Sequence, residues 1–235
     1  MTYSCEYDSL LNHPYTQILL QSGAFDVDHP YDVDEERKAY SLTAGTLAGS
    51  GMIAHTPLTL TRKKPSRALD NVEGEVIDTR SPTPAAVAEY IVIYHLGSKL
   101  CGHKDIIHGG LLATLLDESL CRCGFPLLPN KLGVTASLNI KYVAPTPADS
   151  IVVLHAWATN LNGRKVTVNG TLSTLSDAAD DVDLDSVTLE TADEVFGIKN
   201  TAAAEALVIE PRWVSKLQTG HFTPPPEKAE SQPQA

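Results

Sequence analysis

Asp117 lies inside an apolar segment that has the spacing of a helix. The segment HGGLLATLLDESLCRC covers residues 108–123, and its Leu residues recur at intervals of three and four. Burying an unpaired carboxylate costs several kcal/mol, unless it finds a partner or shifts its pKa. Small residues (Gly110, Ala113, Thr114 and Cys121) line the same helix face and leave room for a reactant. Asp117 is therefore either a base or nucleophile, or a structural acid hydrogen-bonded to a neighbouring strand.

His108, Gly109 and Gly110 open the same helix. Backbone without side chains at a helix N-terminus exposes unpaired N–H groups and the positive end of the helix dipole, which suit a developing oxyanion. A plain tight turn would use the same glycines. Because the glycines share a helix with an acid, the pair indicates acyl-group chemistry.

The spacing of these groups predicts a dimer. Gly110 and Asp117 are seven residues apart, which is about 10 Å along a helix axis. An oxyanion donor and a base must each lie about 3 Å from the reacting group. One helix cannot satisfy both distances, whereas two antiparallel copies can. We therefore expect a symmetric homodimer with shared active sites.

The elements around this helix are mostly strands. Period-two patterns predict strands at 50–60, 86–96, 134–142, 151–159, 165–175 and 202–210. Asn162-Gly163 is a hairpin signal, and short connections favour an antiparallel sheet. Within 134–142, Val134, Ala136 and Leu138 are predicted on the buried face and Thr135 on the polar face. A second, weaker helix is predicted at Ser9–Gln21. The fold class is α+β, with a curved antiparallel sheet wrapped around one long helix.

Composition limits the remaining possibilities. The chain has 235 residues, 43% of them hydrophobic and 20% charged, which is typical of a globular protein. The net charge of −11 includes eight acids between residues 177 and 194, which we interpret as a solvated insertion. We predict an N-terminal extension (1–48), a main domain (49–213) with the insertion at about 176–199, and a disordered tail (214–235). No basic stripe, apolar span or leader pattern is evident, so we expect no nucleic-acid partner, no membrane span and a cytoplasmic location.

Four segments resemble one family. These are HGGLLATLLDE (108–118), GVTASLNIKYVAPTPA (133–148), NGRKV (162–166) and AEALVIE (204–210). In order and spacing they resemble the hotdog-fold acyl-CoA thioesterases, in the branch of PaaI-like proteins and mammalian thioesterase superfamily members. The resemblance covers roughly residues 86–212. It implies a thioester hydrolase without a cofactor, whose dimers often pair again into tetramers.

The resemblance also implies roles for residues. The N–H of Gly109 or Gly110 would polarise the thioester carbonyl, and Asp117 of the facing subunit would act as nucleophile or general base. Thr135 would position the water or the carboxylate, while His108 would fix the loop. Bacterial members often carry Asn six residues before the motif His. Here that position is Gly102, and the neighbouring His103 is a candidate replacement.

Coenzyme A is anionic, so cations near the site are candidate ligands. Lys141, Arg164 and Lys165 are the first candidates, although each could equally be a solvated surface charge. Leu112, Leu116 and Phe125 are candidate walls of an acyl pocket, with core packing as the alternative. The spacings of the Cys and His residues match no usual zinc pattern, so we expect no metal.

Two other functions remain open. A hotdog hydratase or dehydratase normally carries a His about five residues after the helix Asp, and none follows Asp117 within the helix. A non-catalytic acyl-CoA binding protein would share most of the pocket. Release of free thiol from acyl-CoA distinguishes hydrolysis from both.

Overall fold

A seven-stranded antiparallel sheet curves around one long helix in this computed structural model, which describes residues 5–54, 56–63, 88–176, 186–189 and 191–214. The strand order is β1-β2-β3-β7-β8-β9-β6, which leaves β1 and β6 at the edges. The strands of this sheet are β1 Phe25–Asp28, β2 Leu58–Arg62, β3 Glu89–Leu96, β6 Val134–Tyr142, β7 Ser150–Asn162, β8 Lys165–Thr174 and β9 Lys199–Ile209. Two short strands, β4 Cys101–His103 and β5 Ile106–Ile107, form a separate pair.

The predicted long helix is confirmed as α4, Gly109–Gly124. Its Leu115, Leu116 and Leu120 are fully buried against the concave face of the sheet. Gly170 of β8 permits this close approach, because a Cβ there would lie 2.7 Å from the Leu120 side chain. Leucines at helical spacing and alternating apolar residues on the strands thus bury each other, as the α+β prediction required.

The remaining helices are short. They are α1 Cys5–Asn12, α2 Pro14–Gln21, α3 Glu35–Lys38 and α5 Ala192–Val195, with a π-helical turn at Leu42–Thr46 and 3-10 turns at Ser98–Leu100 and Phe125–Leu127. The helix predicted at Ser9–Gln21 is therefore two helices. His13 caps the second, and Pro14 occupies its first turn, where the missing N–H costs nothing.

Helices α1, α2 and α5 cover the outer face of β2, β3 and β7 and form a second apolar layer. Phe196, which follows α5, is fully buried, and its ring lies 5.7 Å from that of Tyr15. The end of the acidic insertion is thus packed rather than solvated, contrary to expectation. Residues 177–185 and 190 of that insertion, and the predicted tail from residue 215, lie outside the described residues.

Several predicted boundaries need correction. The strand expected at 50–60 begins only at Leu58, and Ile53 contributes isolated bridges instead. Strand β1 pairs with β2 across a long loop, and Tyr31 lies in the main core. The boundary expected after residue 48 therefore does not separate two packing units. In the β7–β8 hairpin, Asn162 pairs with Lys165, so the loop residues are Gly163 and Arg164, with φ of 55° at Gly163.

Candidate active site

Asp117 is half-buried on the side of α4 that faces the edge strand β6. Its Oδ1 accepts a 2.6 Å hydrogen bond from the Thr135 hydroxyl of that strand. The part of the chain that the structure describes offers no donor to Oδ2. One carboxylate oxygen is thus held in place while the other remains available. The acid is less shielded from water than the sequence suggested, and it is held by its own chain without being used up.

A β-bulge brings Thr135 to this position. Thr135 lies opposite Val208 and Ser137 opposite Leu207, so Ala136 is an extra residue on β6. The bulge changes the phase of the alternation and puts Thr135 on the helix-facing side together with Leu138. The prediction that Thr135 lies on the opposite, polar face was therefore wrong, because a strict period of two does not anticipate an inserted residue.

Cys121, one turn beyond Asp117, completes a chain of hydrogen bonds. Its Sγ lies 2.9 Å from Thr135 Oγ1. Threonine has one hydroxyl hydrogen, which Thr135 donates to Asp117, so the Cys121 thiol must donate to Thr135. Burial raises the pKa of Cys121 to about 11, which keeps this thiol protonated at neutral pH. Sequence reasoning noted Cys121 only as a small residue on the Asp117 face.

His108 caps the N-terminus of α4 and decides which backbone donor stays available. Its Nδ1 accepts a 2.9 Å hydrogen bond from the Gly110 N–H, and its carbonyl accepts from Leu111 and Leu112. Within the described ranges, no acceptor is present for the Gly109 N–H. Of the two predicted oxyanion donors, only Gly109 is therefore free to bind a ligand.

Tyr142, at the end of β6, packs beside this donor. Its hydroxyl donates a 2.8 Å hydrogen bond to the Gly109 carbonyl, and its side chain is 52% exposed. The sequence analysis placed Tyr142 in its strand but gave it no role at the site. The contact joins two segments more than 30 residues apart, which no local pattern reveals.

Glu118, the neighbour of Asp117, has a structural role. Its carboxylate forms a 2.6 Å ion pair with Arg122 and accepts a 2.6 Å hydrogen bond from Thr43. These contacts attach the π-helical turn of the N-terminal segment to α4. A cavity of about 550 Å³ next to this turn is lined in part by Tyr31 and Ala44. Asp117 and Gly109 are absent from its described lining.

Position 102, where the resemblance led us to look for an asparagine, has no room for a side chain unless the His108 ring moves. A Cβ on Gly102 would lie 2.8 Å from the His108 ring. His103 is exposed on β4, and no described contact joins it to Asp117 or Thr135. The structure therefore does not bring His103 into the site of this chain.

The predicted substrate-binding residues are not assembled in one place. Lys141 lies opposite Ala203 and Lys165 opposite Ile209, six residues apart along β9, or about 20 Å. Leu112 and Leu116 lie in the core beneath the sheet, and Phe125 is a partly buried residue packed against the same core. The expectation that these three residues form pocket walls is not met within one chain, because helix packing already uses their apolar surface.

No helix among the described residues is long and apolar enough to span a membrane. The same residues hold no group of three His, Cys, Asp or Glu side chains that could bind a metal ion.

With an antiparallel sheet wrapped around one central helix, the architecture is that of a hotdog protein. Residues 104–178 of the chain match the family model of the thioesterase superfamily. This match includes α4, β6 and β7 and therefore every residue of the hydrogen-bond chain described above.

Three curated relatives add detail. An uncharacterized mitochondrial protein of Candida albicans is 37% identical over 72% of this chain and 62% of its own length. An uncharacterized mitochondrial membrane protein of Saccharomyces cerevisiae, FMP10, is 34% identical over 46% of this chain and 45% of its own length. The acyl-coenzyme A thioesterase THEM4 of Mus musculus is 30% identical over 37% of this chain and 36% of its own length. The chain thus spans less than two thirds of each.

The expected cytoplasmic location is wrong by this comparison, since two of these relatives are named as mitochondrial. Location is set by address signals that receptors read, and the fold and overall composition do not determine it.

Proposed function

We propose that this protein hydrolyses acyl-CoA thioesters to the free acid and coenzyme A. The observation that carries the proposal is the Asp117 carboxylate, fixed through Oδ1 by Thr135 and unpaired at Oδ2 in the described part of the chain. An acid held in this way beside an edge strand is suited to act on a reactant that arrives from outside the protomer. The thioesterase superfamily and the relative THEM4 support this chemistry.

The site is completed by a second copy of the chain. Gly109 and Asp117 are eight residues apart on α4, or about 12 Å, too far to act on one carbonyl. Strand β6 is a sheet edge with unpaired backbone groups. A copy paired antiparallel along β6 places its Tyr142 and Gly109 end opposite the Thr135 and Asp117 end of the first. The two-fold axis then generates two equivalent sites in a homodimer, and two such dimers can pair again into a tetramer.

In this arrangement each group has one task. The Gly109 N–H binds the carbonyl oxygen and stabilises the negative charge that develops on it. Asp117 either removes a proton from the attacking water or attacks the carbonyl to form an anhydride that water then cleaves. The bond from carbonyl carbon to sulfur breaks, and the thiolate takes a proton to leave as free coenzyme A. Thr135 and Cys121 hold the carboxylate in position.

The activity is tested by measuring thiol release from a panel of acyl-CoAs. We expect turnover by the parent and a loss of at least about a thousandfold in Asp117→Asn, which cannot accept the proton or attack. Glu205→Gln, an exposed acid on the outer face of β9, is the matched control. Tight binding of acyl-CoA without thiol release would support the non-catalytic alternative instead. Hydration of an enoyl-CoA without thiol release would support the hydratase.

The shared site is tested by mixing two inactive variants. In a heterodimer of Asp117→Asn with Gly109→Pro, one site contains both intact groups and the other contains neither. Random mixing should restore about a quarter of the parent activity, since half of the dimers are mixed and half of their sites are intact. Mixing would restore nothing if both groups acted from one chain.

We also propose a mitochondrial location, on the basis of the two relatives with that name. Fractionation of cells that express the full-length protein tests this, and recovery in the cytosol alone would refute it.

A further inference from the structure

A cavity of about 360 Å³ lies at the ends of β8 and β9, outside the acid and glycine site described above. Its size falls in the range of about 300–1,000 Å³ that small-molecule sites occupy. The chain after β9 forms one wall, with Pro211, Arg212 and Trp213, and the β7–β8 loop contributes Arg164 and Lys165. Sequence reasoning singled out the last two residues but missed Arg212 and Trp213.

The lining of this cavity is positive although the chain as a whole is acidic. It includes three cations, Arg164, Lys165 and Arg212, and one acid, Glu210. Glu210 is 4% exposed, and Asn130 donates 2.7 Å hydrogen bonds to both of its carboxylate oxygens, from the backbone N–H and from Nδ2. The acid is thus engaged away from a ligand. Arg164 donates to the Glu210 carbonyl at 2.9 Å, which fixes its guanidinium beside the cavity.

The cavity also has an apolar component suited to a flat ring. Ile209, Pro211 and the Trp213 indole line it together with the cations. An indole face supports stacking of a heterocyclic base, while Arg and Lys bind phosphate. Cations beside an aromatic surface are the combination that a nucleotide requires.

The position of the cavity relates it to Asp117. Ile209 pairs with Val134 on one side and with Lys165 on the other, and Thr135 follows Val134. One strand spacing of about 4.8 Å and one residue step of about 3.3 Å therefore separate the backbone at the cavity from that of Thr135. Lys165 and Ile209 lie on the outer face of the sheet, because their neighbours Val166 and Val208 face α4, as Thr135 does. A ligand that joins a nucleotide to a thioester through a flexible arm therefore occupies both places when the arm passes around the β6 edge or the end of the sheet.

We propose that this cavity binds the 3′-phosphorylated ADP portion of coenzyme A, an inference that rests on the proposed thioesterase function. The cations bind the phosphates and Trp213 stacks on the adenine. The cavity then selects thioesters of free coenzyme A over thioesters carried on a protein, which lack the adenine nucleotide. It also holds the thioester within reach of the Asp117 of the same subunit.

The kinetic test compares one acyl group on two carriers, coenzyme A and N-acetylcysteamine, which has no nucleotide. In the double variant Lys165→Gln with Arg212→Gln, we expect KM for the acyl-CoA to rise about tenfold or more, with kcat within about twofold of the parent. The kinetics with the N-acetylcysteamine thioester should not change. The matched control is Arg37→Gln with Lys199→Gln, which removes two exposed cations from other parts of the surface.

A binding measurement separates this proposal from the proposed function. Adenosine 3′,5′-bisphosphate should bind the parent in calorimetry, bind the double variant about tenfold more weakly, and bind the control like the parent. This result with no thioester hydrolysis would uphold the cavity and overturn the proposed function. Hydrolysis of acyl-CoA with equal nucleotide binding by parent and double variant would overturn the cavity and leave the function intact. Equal affinity for ATP and the bisphosphate would also overturn it, since a general nucleotide site would not select coenzyme A.

Discussion

Replacing Gly109 with proline removes one hydrogen-bond donor and little else, which makes it the sharpest test of the oxyanion role. Gly109 is the first residue of α4, the position where helices accept proline most readily. The preceding residue, His108, has φ of −64° and ψ of 128°, which is the conformation that a following proline favours. The Gly109 N–H has no acceptor among the described residues, so no hydrogen bond of the fold is lost.

The expected effect on activity is large. Removing one donor of an oxyanion site typically costs about 3–4 kcal/mol of transition-state stabilisation. We therefore expect kcat for acyl-CoA hydrolysis to fall by about 100- to 1,000-fold in Gly109→Pro. The free energy of unfolding should stay within about 1 kcal/mol of the parent, because proline at this position also restricts the unfolded chain.

Gly109→Ala is the matched variant, because it keeps the N–H. A Cβ there would lie 3.6 Å from the Tyr142 ring, an ordinary van der Waals contact. The ratio of kcat between the alanine and proline variants isolates the donor from any effect of the added carbon. Thiol release measured under saturating acyl-CoA gives this ratio, and urea unfolding gives the stability. A proline variant as active as the alanine variant would refute the role of Gly109.

Three further outcomes follow from the geometry and the pKa shifts. Thr135→Val removes a charge-assisted hydrogen bond to Asp117 worth about 1.5–3 kcal/mol, so kcat/KM should fall about 10- to 100-fold. Thr135→Ser keeps the hydroxyl and should retain most of the parent kcat/KM. Equal kinetics for both variants would contradict the positioning role of Thr135. Burial raises the pKa of Cys121 to about 11 from an ordinary 9, so the reactive thiolate is scarce in the native protein. Alkylation of Cys121 at pH 8, followed by peptide mass spectrometry, should therefore be at least about 100-fold slower in the native than in the urea-unfolded protein. Equal rates would refute a buried thiol. Burial and the nearby Arg62 lower the pKa of His155 to about 4, so the native state resists protonation of this side chain. The free energy of unfolding should therefore fall by up to about 3 kcal/mol as the pH drops from about 6.5 towards 4. His155→Gln should lose that part of the pH dependence in urea unfolding, and an unchanged dependence of unfolding free energy on pH would contradict the lowered pKa of His155.

Local patterns were enough to predict α4, five of the sheet strands (β3, β6, β7, β8 and β9) and the antiparallel arrangement. The leucines of α4 recur at helical spacing, and Gly109 and Gly110 follow a capping residue, so the helix and its start are encoded within about 16 residues. The same segment contains Asp117, so the acid and the glycine donors can be predicted from the sequence of this helix. Strands β3 and β7 run almost continuously apolar because they lie between two packed layers, whereas β8 and β9 alternate because only their inner face packs on the core around α4.

Other features depend on contacts between distant parts of the chain. Strand β1 is four residues long and is held by its pairing with β2, a partner more than 30 residues away. The bulge at Ala136 shifts the register of β6 against β9 by one residue, and no residue type near it in the sequence predicts a bulge. The wide separation of Lys141 from Lys165 likewise follows from strand register.

The sequence by itself therefore determined which helix carries the chemistry and which residue types are available, because helix periodicity and capping are local interactions. The tertiary structure decided which atoms can bind a reactant. His108 accepts the hydrogen bond of the Gly110 N–H, which leaves the Gly109 N–H as the donor. The bulge turns Thr135 toward Asp117, and the Cys121 thiol donates to Thr135 and so orients its hydroxyl. Each of these depends on side chains that meet only after the sheet has closed on the helix. Register and packing are set by the sum of many long-range contacts, which no short window of sequence contains.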